Sequence, residues 1–238
     1  GSCDVVVTGG AESMTRVPMG GNRDVHGKPF GWKLLEQFEQ VPQGEAAERV
    51  ADRWSITRSD LDEFALASHQ RAAAAADGGY FAREITPVPV SAWREREAVG
   101  EPPDFTQDET IRRDTTLEKL AKLKTSFRAD GRVTAGNSSQ ICDGAAALLL
   151  MSGDAARKYG FKGLARIRAI ATVGSDPTLM LTGPIAATRR VLARAGLHLD
   201  DIDLFEVNEA FASVPLMWSR ELGVGQVLLD VALRIDHD

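Results

Sequence analysis

A polar pair, Asn208 and Glu209, follows an apolar stretch in the segment DIDLFEVNEAF at residues 201–211. The apolar alternation before the pair predicts a strand, and in open parallel sheets ligands bind beyond the carboxyl ends of the strands. Asn is also one of the most favourable residues at a helix N-cap. Taken alone, this turn favours a simple cap over a functional site.

A second candidate is the turn TAGNSSQ at residues 134–140, which consists of small and polar residues. Small side chains let a ligand approach the backbone closely, and a serine hydroxyl such as that of Ser139 can hydrogen-bond to it. Many turns share this composition, so the pattern by itself does not define a site.

A basic cluster lies in residues 112–128, where six basic and two acidic side chains give a local charge of +4. The basic residues of this cluster are Arg112, Arg113, Lys119, Lys122, Lys124 and Arg128. A solvated helix face is the ordinary explanation for an isolated cluster, and a seat for a phosphorylated ligand is the alternative.

The composition of the 238 residues excludes several classes of protein. A net charge of −6 gives no overall attraction to nucleic acid or to an anionic membrane, and no apolar run is long enough to span a bilayer. Two cysteines cannot form a disulfide framework, and the four histidines lack metal-ligand spacing. We therefore predict a cytoplasmic, metal-free globular protein that binds neither nucleic acid nor membrane.

Helical periodicity with capping signals predicts several helices. Thr57 and Asp60 cap the pattern LDEFALASHQRAAAAADGG, and GPIAATRRVLARAG has Pro184 near its start and Gly196 at its end. The other predicted helices are WKLLEQF, EAAERVADRW, TTLEKLAKL with a Thr-x-x-Glu capping box, and NEAFASVPLMWSREL.

Apolar runs predict the strands. CDVVVTGG suits a strand buried on both faces, and REITPVPVSAW suits an edge strand because its prolines cannot donate hydrogen bonds. LARIRAIATVGSD at 164–176 and DIDLFEV at 201–207 flank a helix, which predicts a βαβ unit and a parallel sheet.

Eight collinear segments resemble the thiolase family, the coenzyme A-dependent acyltransferases that make or cleave 3-oxoacyl-CoA. They include DVVVTGGAESMTRVP, DTTLEKLAKLKTSF, DGRVTAGNSSQICDGAAALLLMS, LTGPIAATRRVLARAGL and DIDLFEVNEAFA. The resemblance implies an α/β fold, a partial thiolase-like fold of layered α/β halves with an inserted, mainly helical loop domain. Residues 1–14 and the return strand at 143–163 would belong to the N-terminal half, and 15–142 would form the coenzyme A-binding loop domain. Residues 164–238 would begin the C-terminal half, with an atypical tail from about 223.

The resemblance also implies roles for individual residues. Asn208 would order a water in the oxyanion hole, and Glu209 would orient its neighbours. The residues expected to contact the acyl group, the pantetheine arm or the nucleotide of coenzyme A are Phe211, Met180, Ser139, Ala135, Phe127, Gln43 and Arg112.

Gln43 stands where many short-chain biosynthetic members carry a methionine that narrows the acyl pocket. This departure favours bulkier acyl groups, as in the sterol-degrading members of the family.

The chain departs from the family pattern in its catalytic motifs. In the family the nucleophilic cysteine lies upstream of the segment that matches CDVVVTGG, so Cys3 is not that residue, and Cys142 is interpreted as a small packing residue. No Gly-His-Pro and no Cys-x-Gly follow NEAFA. We therefore expect a truncated thiolase that is inactive by itself; the alternative is a non-catalytic protein that binds coenzyme A or interacts with an intact thiolase.

The same resemblance implies the ligands and the assembly. Coenzyme A and acyl-CoA would be substrates rather than permanently bound cofactors, no metal would be required, and the protein would form a homodimer or homotetramer.

Overall fold

The computed structural model describes residues 3–27, 29–89 and 104–225. Along the chain the elements are β1 (Val5–Glu12), α1 (Gly21–His26), α2 (Trp32–Gln37), α3 (Gln43–Arg53), α4 (Arg58–Asp77), α5 (Leu117–Ala121), β2 (Gly144–Met151), α6 (Gly153–Tyr159), α7 (Gly183–Ala195), a 3-10 helix (Leu199–Asp201) and α8 (Ser213–Leu222). The chain forms two compact units, the first from Gly1–Val41 and Gln140–Asp201, the second from Pro42–Ser139 and Ile202–Asp238.

In the first unit β1 and β2 form an antiparallel pair that runs from Val5 opposite Met151 to Glu12 opposite Gly144. At the end of this pair the Thr15 hydroxyl donates to Asp143 Oδ2 at 2.7 Å, and the Thr15 backbone N–H donates to Oδ1 at 2.9 Å. Both strands were predicted from the sequence, but burial of the first was not found. All eight residues of β1 are exposed, because among the described residues no layer covers either face of the two-stranded sheet.

The predicted βαβ unit is wrong in its strands, although its helix α7 is confirmed. Residues 164–174 and 202–209 have no regular structure, and the described sheet contains only β1 and β2. A strand exists only when a neighbouring strand accepts and donates its backbone hydrogen bonds, and periodicity in a sequence does not reveal whether that neighbour is present. The predicted strand at 83–93 is reduced to one bridge between Val88 and Phe105, and its residues 90–93 lie outside the described residues.

The helix boundaries follow the capping chemistry closely. Thr57 accepts from the N–H of Asp60 while the Asp60 carboxylate accepts from the N–H of Thr57, which confirms the predicted cap of α4. Gly196 ends α7 in the left-handed conformation, as predicted. The cap of α5 is displaced by one residue, because Thr116 rather than Thr115 accepts from the N–H of Lys119.

The core of the second unit lies between α3 and α8. Ala47, Val50 and Ala51 of α3 are fully buried, as is Met217 of α8. Trp218 is 1% exposed and lies 5.0 Å from the ring centre of Phe205. Small alanines on α3 let the large side chains of α8 approach closely, so burial of this face stabilises the unit.

Charged side chains of α3 hold the segment that follows α5. Glu48 is 1% exposed, and its carboxylate accepts from the backbone N–H groups of Arg132 and Val133, each at 2.9 Å. Glu45 pairs with Arg128 at 2.7 Å, and hydrogen bonding from that guanidinium lowers the pKa of Glu45 to about 2. These bonds attach residues 128–133 to the first turns of α3.

No helix within the described ranges has the length and apolar character needed to cross a membrane. The predicted atypical tail falls largely on residues 226–238, outside the described residues. The predicted domain boundaries at 14, 142 and 163 stay predictions.

Two serines of α8 give opposite predictions for the same substitution. Ser213 is fully buried, and within the described structure its hydroxyl has no hydrogen-bond partner, whereas the Ser219 hydroxyl donates to the carbonyl of Val224. Ser213→Ala should therefore raise the free energy of unfolding by about 1 kcal/mol, because it removes an unpaired buried hydroxyl. Ser219→Ala, the matched control, should lower it by about 1 kcal/mol.

Urea unfolding followed by tryptophan fluorescence measures both changes. A loss of stability in the Ser213 variant as large as that in the Ser219 variant would mean that the Ser213 hydroxyl is hydrogen-bonded.

Candidate functional site

A backbone bridge joins the two turns that the sequence singled out. The N–H of Ser139 donates to the carbonyl of Ala210 at 3.0 Å, and the N–H of Ala212 donates to the carbonyl of Asn137 at 2.9 Å. Between these bonds Ser138 and Phe211 face each other as an antiparallel bridge pair. TAGNSSQ and NEAF are therefore neighbours in the second unit, and Ser139 lies beside the segment that carries Asn208.

Asn208 is exposed and lies in the turn before α8, five residues ahead of Ser213. The N-cap of α8 is Ala212, which makes no side-chain cap hydrogen bond. The interpretation of Asn208 as a helix cap is therefore wrong, because the predicted helix starts several residues later than its apolar pattern suggested. Among the described residues the Asn208 side chain has no hydrogen-bond partner, and its oxyanion role stays a prediction.

Glu209 and Arg112 are both attached to the same part of α4. The Ser68 hydroxyl donates to Glu209 Oε2 at 2.7 Å, and the Arg112 backbone N–H donates to His69 Nδ1 at 3.3 Å. Burial, assisted by the Arg112 charge and opposed by Glu209, lowers the pKa of His69. Neutral His69 can keep Nδ1 as an acceptor, so it fixes the backbone at Arg112. Glu209 contacts a side chain of α4 here, and its orienting role stays a prediction.

An aromatic pair forms one side of the bridge. The rings of Phe127 and Phe211 meet edge to face, with centres 6.0 Å apart and planes at 82°. Phe211 is buried, whereas Phe127 is 46% exposed. The Phe127 ring lies over Gly44, where a Cβ would be 2.2 Å from the nearest ring carbon. Gln43 precedes this glycine as the first residue of α3 and is exposed.

Some side chains of the basic cluster form ion pairs with described carboxylates, and others do not. Arg113 pairs with Asp77, Lys119 pairs with Asp114, and Arg128 pairs with Glu45 and Asp52. Arg112, Lys122 and Lys124 make no ion pair with any described residue. Only these three remain to attract a phosphorylated ligand, so the effective charge is smaller than the sequence count suggested.

The remaining predicted residues are placed as follows. Ala135 is exposed in the turn that contains Ser139. Met180 belongs to the first unit, where its backbone has the left-handed φ of 50° that non-glycine residues rarely adopt. Its N–H donates to the Asp176 carbonyl at 2.8 Å, and Asp176 Oδ1 accepts from the N–H groups of Thr178 and Leu179, which holds this conformation.

Cys3 and Cys142 are both free and exposed. The interpretation of Cys142 as a packing residue is therefore wrong, since residues 140–150 around it are exposed. Within 3–27, 29–89 and 104–225 no group of three or more His, Cys, Asp or Glu side chains could hold a metal ion.

Family models match nearly the whole chain. Residues 1–154 match the thiolase N-terminal domain, and residues 161–232 match the thiolase C-terminal domain. The chain therefore belongs to the thiolase family, whose members are acyltransferases, and its partial α/β fold is a thiolase fold.

Particular relatives support this assignment. The chain is 45% identical over 233 residues to an acetyl-CoA acetyltransferase of Pseudomonas aeruginosa, covering 94% of this chain and 58% of the relative. It is 42% identical over 243 residues to a 3-ketoacyl-CoA thiolase of Bacillus subtilis, covering 100% of this chain and 62% of the relative. The crystal structure of the Bacillus anthracis acetyl-CoA acetyltransferase superposes with a TM-score of 0.79 at 37% identity, covering 94% of this chain and 58% of that one.

The chain thus spans about three fifths of the length of these relatives. These relatives include both acetyl-CoA acetyltransferases and a 3-ketoacyl-CoA thiolase, so similarity alone does not select an acyl group.

Three buried polar residues that hydrogen-bond the loop at residues 132–137 were not singled out from the sequence. Glu48, Asp62 and Asn137 are all at most 4% exposed and hydrogen-bonded within the second unit. Glu48 and Asp62 lie on the apolar faces of α3 and α4, so a polar residue in an apolar stripe was the signal available.

The contact between Gly44 and Phe127 gives a prediction for the aromatic pair. Gly44→Ala should push the Phe127 ring off Phe211 and lower the free energy of unfolding by about 1 kcal/mol, the worth of one aromatic pair. In a Phe127→Ala background the same change should be neutral or stabilising, because alanine favours helix over glycine.

Urea unfolding of the four proteins in this cycle measures the coupling between the two positions. Gly183→Ala is the matched control, since Gly183 also begins a helix and its Cβ would meet nothing closer than 3.7 Å. Equal effects of Gly44→Ala in both backgrounds would show that the ring does not depend on this glycine.

Proposed function

We propose that this protein takes part in thiolase-type acyl transfer, the thiolytic cleavage or Claisen condensation of 3-oxoacyl-CoA. In the proposed arrangement the second unit binds the coenzyme A ester and Asn208 serves the oxyanion. The observation that carries the proposal is the backbone bridge between residues 137–139 and 210–212, because it brings a hydroxyl-bearing turn next to an exposed asparagine.

Each group in this region suits one part of such a ligand. Ser139 and the backbone of Ala135 would hydrogen-bond the pantetheine amides, since a turn of small residues admits a close approach. Phe127 and Phe211 would pack against the arm and the acyl group. Arg112, Lys122 and Lys124 carry charge that described carboxylates do not neutralise, so they can attract the phosphates.

The chemical role of Asn208 follows from its exposure and its position. In acyl transfer the thioester oxygen gains negative charge as a nucleophile adds to the carbonyl carbon, and a fixed donor aimed at that oxygen lowers the barrier. The Asn208 amide would supply the donor through an ordered water. Ser68 and Glu209 would hold the turn while the charge develops.

Met180 and Gln43 bear on which acyl group is accepted. The contact of Met180 with the acyl group stays a prediction, and its left-handed backbone would fix the side chain within the first unit. Gln43 is polar and exposed at the start of α3, and a polar side chain in place of the methionine of many short-chain members favours bulky 3-oxoacyl groups over the shortest one. Kinetics of the catalytically complete protein with short and bulky 3-oxoacyl-CoA substrates tests this point, and a clear preference for the shortest would contradict it.

The catalytic cysteines and histidine of the family would have to come from outside these 238 residues. Acyl transfer needs a thiolate to accept the acyl group and a base to activate it. Coenzyme A and acyl-CoA are proposed as substrates, with no permanently bound cofactor. Assembly as a homodimer or homotetramer and a cytoplasmic location stay predictions.

Binding of coenzyme A by the 238-residue chain is the first prediction of this proposal. Calorimetry should show saturable binding, and Arg112→Ala should weaken it about fivefold, the upper range for an exposed ion pair. The loss should shrink at high salt and be absent with pantetheine, which lacks the phosphates.

Arg166→Ala is the matched control, because Arg166 is also an exposed arginine and has no part in the proposed site. The absence of saturable binding would refute the assignment of this region to coenzyme A.

Turnover provides the second prediction. The purified chain should show no thiolysis of acetoacetyl-CoA or longer 3-oxoacyl-CoA, because Cys3 and Cys142 do not correspond to the family nucleophile. Turnover that survives Cys3→Ala and Cys142→Ala would overturn both the predicted inactivity and the assignment of these cysteines. Binding without turnover is also the behaviour of a non-catalytic coenzyme A-binding protein; restored turnover when the missing family segments are supplied would distinguish the two.

A further inference from the structure

Asp62 of α4 is 4% exposed, and both of its carboxylate oxygens are used. Oδ1 accepts from Asn137 Nδ2 at 2.9 Å, and Oδ2 accepts from Arg58 Nε at 2.7 Å. A buried carboxylate is tolerated only when its charge and lone pairs are satisfied in this way. Asp62 therefore connects a rigid helix to the turn that carries Ser139.

The Asn137 side chain also hydrogen-bonds two backbone groups of the loop. Its second Nδ2 hydrogen goes to the carbonyl of Arg132 at 3.1 Å, and its Oδ1 accepts from the N–H of Thr134 at 2.8 Å. The side-chain amide has no unused donor, so its plane is fixed on both sides. The carbonyl of the same residue accepts the N–H of Ala212, which directly follows the NEAF segment.

Arg58 extends the connection in the other direction. Its guanidinium donates to the carbonyls of Leu120 and Leu123, at the end of α5 and within the basic cluster. One buried carboxylate is therefore linked to three parts of the proposed ligand site. Asn137 links it to the TAGNSSQ turn and the NEAF segment, and Arg58 links it to the basic cluster.

We propose that Asp62 is a positioning residue that fixes the TAGNSS turn and the NEAF segment relative to each other through Asn137. This positioning role rests on the proposed function, because it matters for catalysis only if Ser139 and Asn208 contact the same ligand. Asp62 itself does not touch substrate. Its effect is transmitted over two hydrogen bonds, from the Asp62 carboxylate to the Asn137 amide and from the Asn137 carbonyl to the Ala212 N–H.

Amide hydrogen exchange, measured by NMR on the full 238-residue chain without ligand, tests the connection directly. Asp62→Asn keeps the shape of the side chain but removes its charge and sets an amide against Arg58. Exchange at the N–H groups of Ala212 and Ser139 should become about tenfold faster, the equivalent of one weakened hydrogen bond to a charged acceptor. The amides of Val50 and Ala51, buried in α3, should change much less.

Glu63→Gln is the matched control, because Glu63 neighbours Asp62 on α4, carries the same charge and is exposed. It should leave exchange at Ala212 and Ser139 unchanged. If Asp62→Asn does not fold, Arg58→Lys provides the second variant, since lysine keeps the charge but cannot reach both Asp62 and the carbonyls after α5. It should speed exchange at Ala212 in the same direction and by a smaller factor.

Coenzyme A titrations of the same proteins test whether the positioning by Asp62 affects ligand binding. Asp62→Asn should raise the dissociation constant about tenfold, in step with the exchange at Ala212. Exchange that rises by the same factor at Ala212, Ser139, Val50 and Ala51 would show a merely structural role and overturn the proposal, as would no change at Ala212. If the unaltered chain binds no coenzyme A, the proposed function fails, and the exchange pattern still decides whether Asp62 positions the two segments.

Discussion

The second unit depends on two backbone hydrogen bonds between segments far apart in the sequence, residues 137–139 and 210–212. They use backbone groups that every residue except proline possesses, so they place almost no demand on side-chain type, and Ser139 and Asn208 remain exposed. Backbone pairing alone would allow the two segments to slip in register. The buried Asn137 amide and the Phe127–Phe211 contact remove that freedom, since each fixes one side of the bridge.

Buried carboxylates perform a second structural task in this unit. Glu48 binds the backbone at residues 132–133, and Asp62 binds Asn137, so α3 and α4 each hold part of the same loop. Charges of this kind are costly to bury and contribute little to stability compared with apolar groups of the same size. Their benefit is that a loop of small residues, which cannot pack a core of its own, acquires a single conformation.

Features that depend on neighbouring residues in the chain could be predicted from the sequence, and features that depend on distant contacts could not. The cap at Thr57 and the left-handed glycine at 196 lie within a few residues of what they terminate, so α4 and α7 were predicted correctly. The strands at 164–176 and 201–207 were not, because a strand depends on a neighbour that a local pattern cannot reveal. For the same reason burial was misjudged at β1 and Cys142. At the candidate site, the turns and the family resemblance suggested Ser139 and Asn208, which stay predictions, whereas the hydrogen bonds of Asp62 and Asn137 could be found only from three-dimensional contacts.

The two units are interleaved along the chain, and this arrangement bears on the order in which the protein can mature. The second unit starts at Pro42, but its core requires Met217 and Trp218 of α8, which the ribosome delivers only after the whole second segment of the first unit. During synthesis the inner face of α3 is therefore exposed while more than half of the chain emerges. An exposed apolar helix face of this kind is a substrate for chaperones. The bridge between residues 137–139 and 210–212 can form only after residue 212 has been made, so the nascent chain would lack the proposed coenzyme A site until late in synthesis.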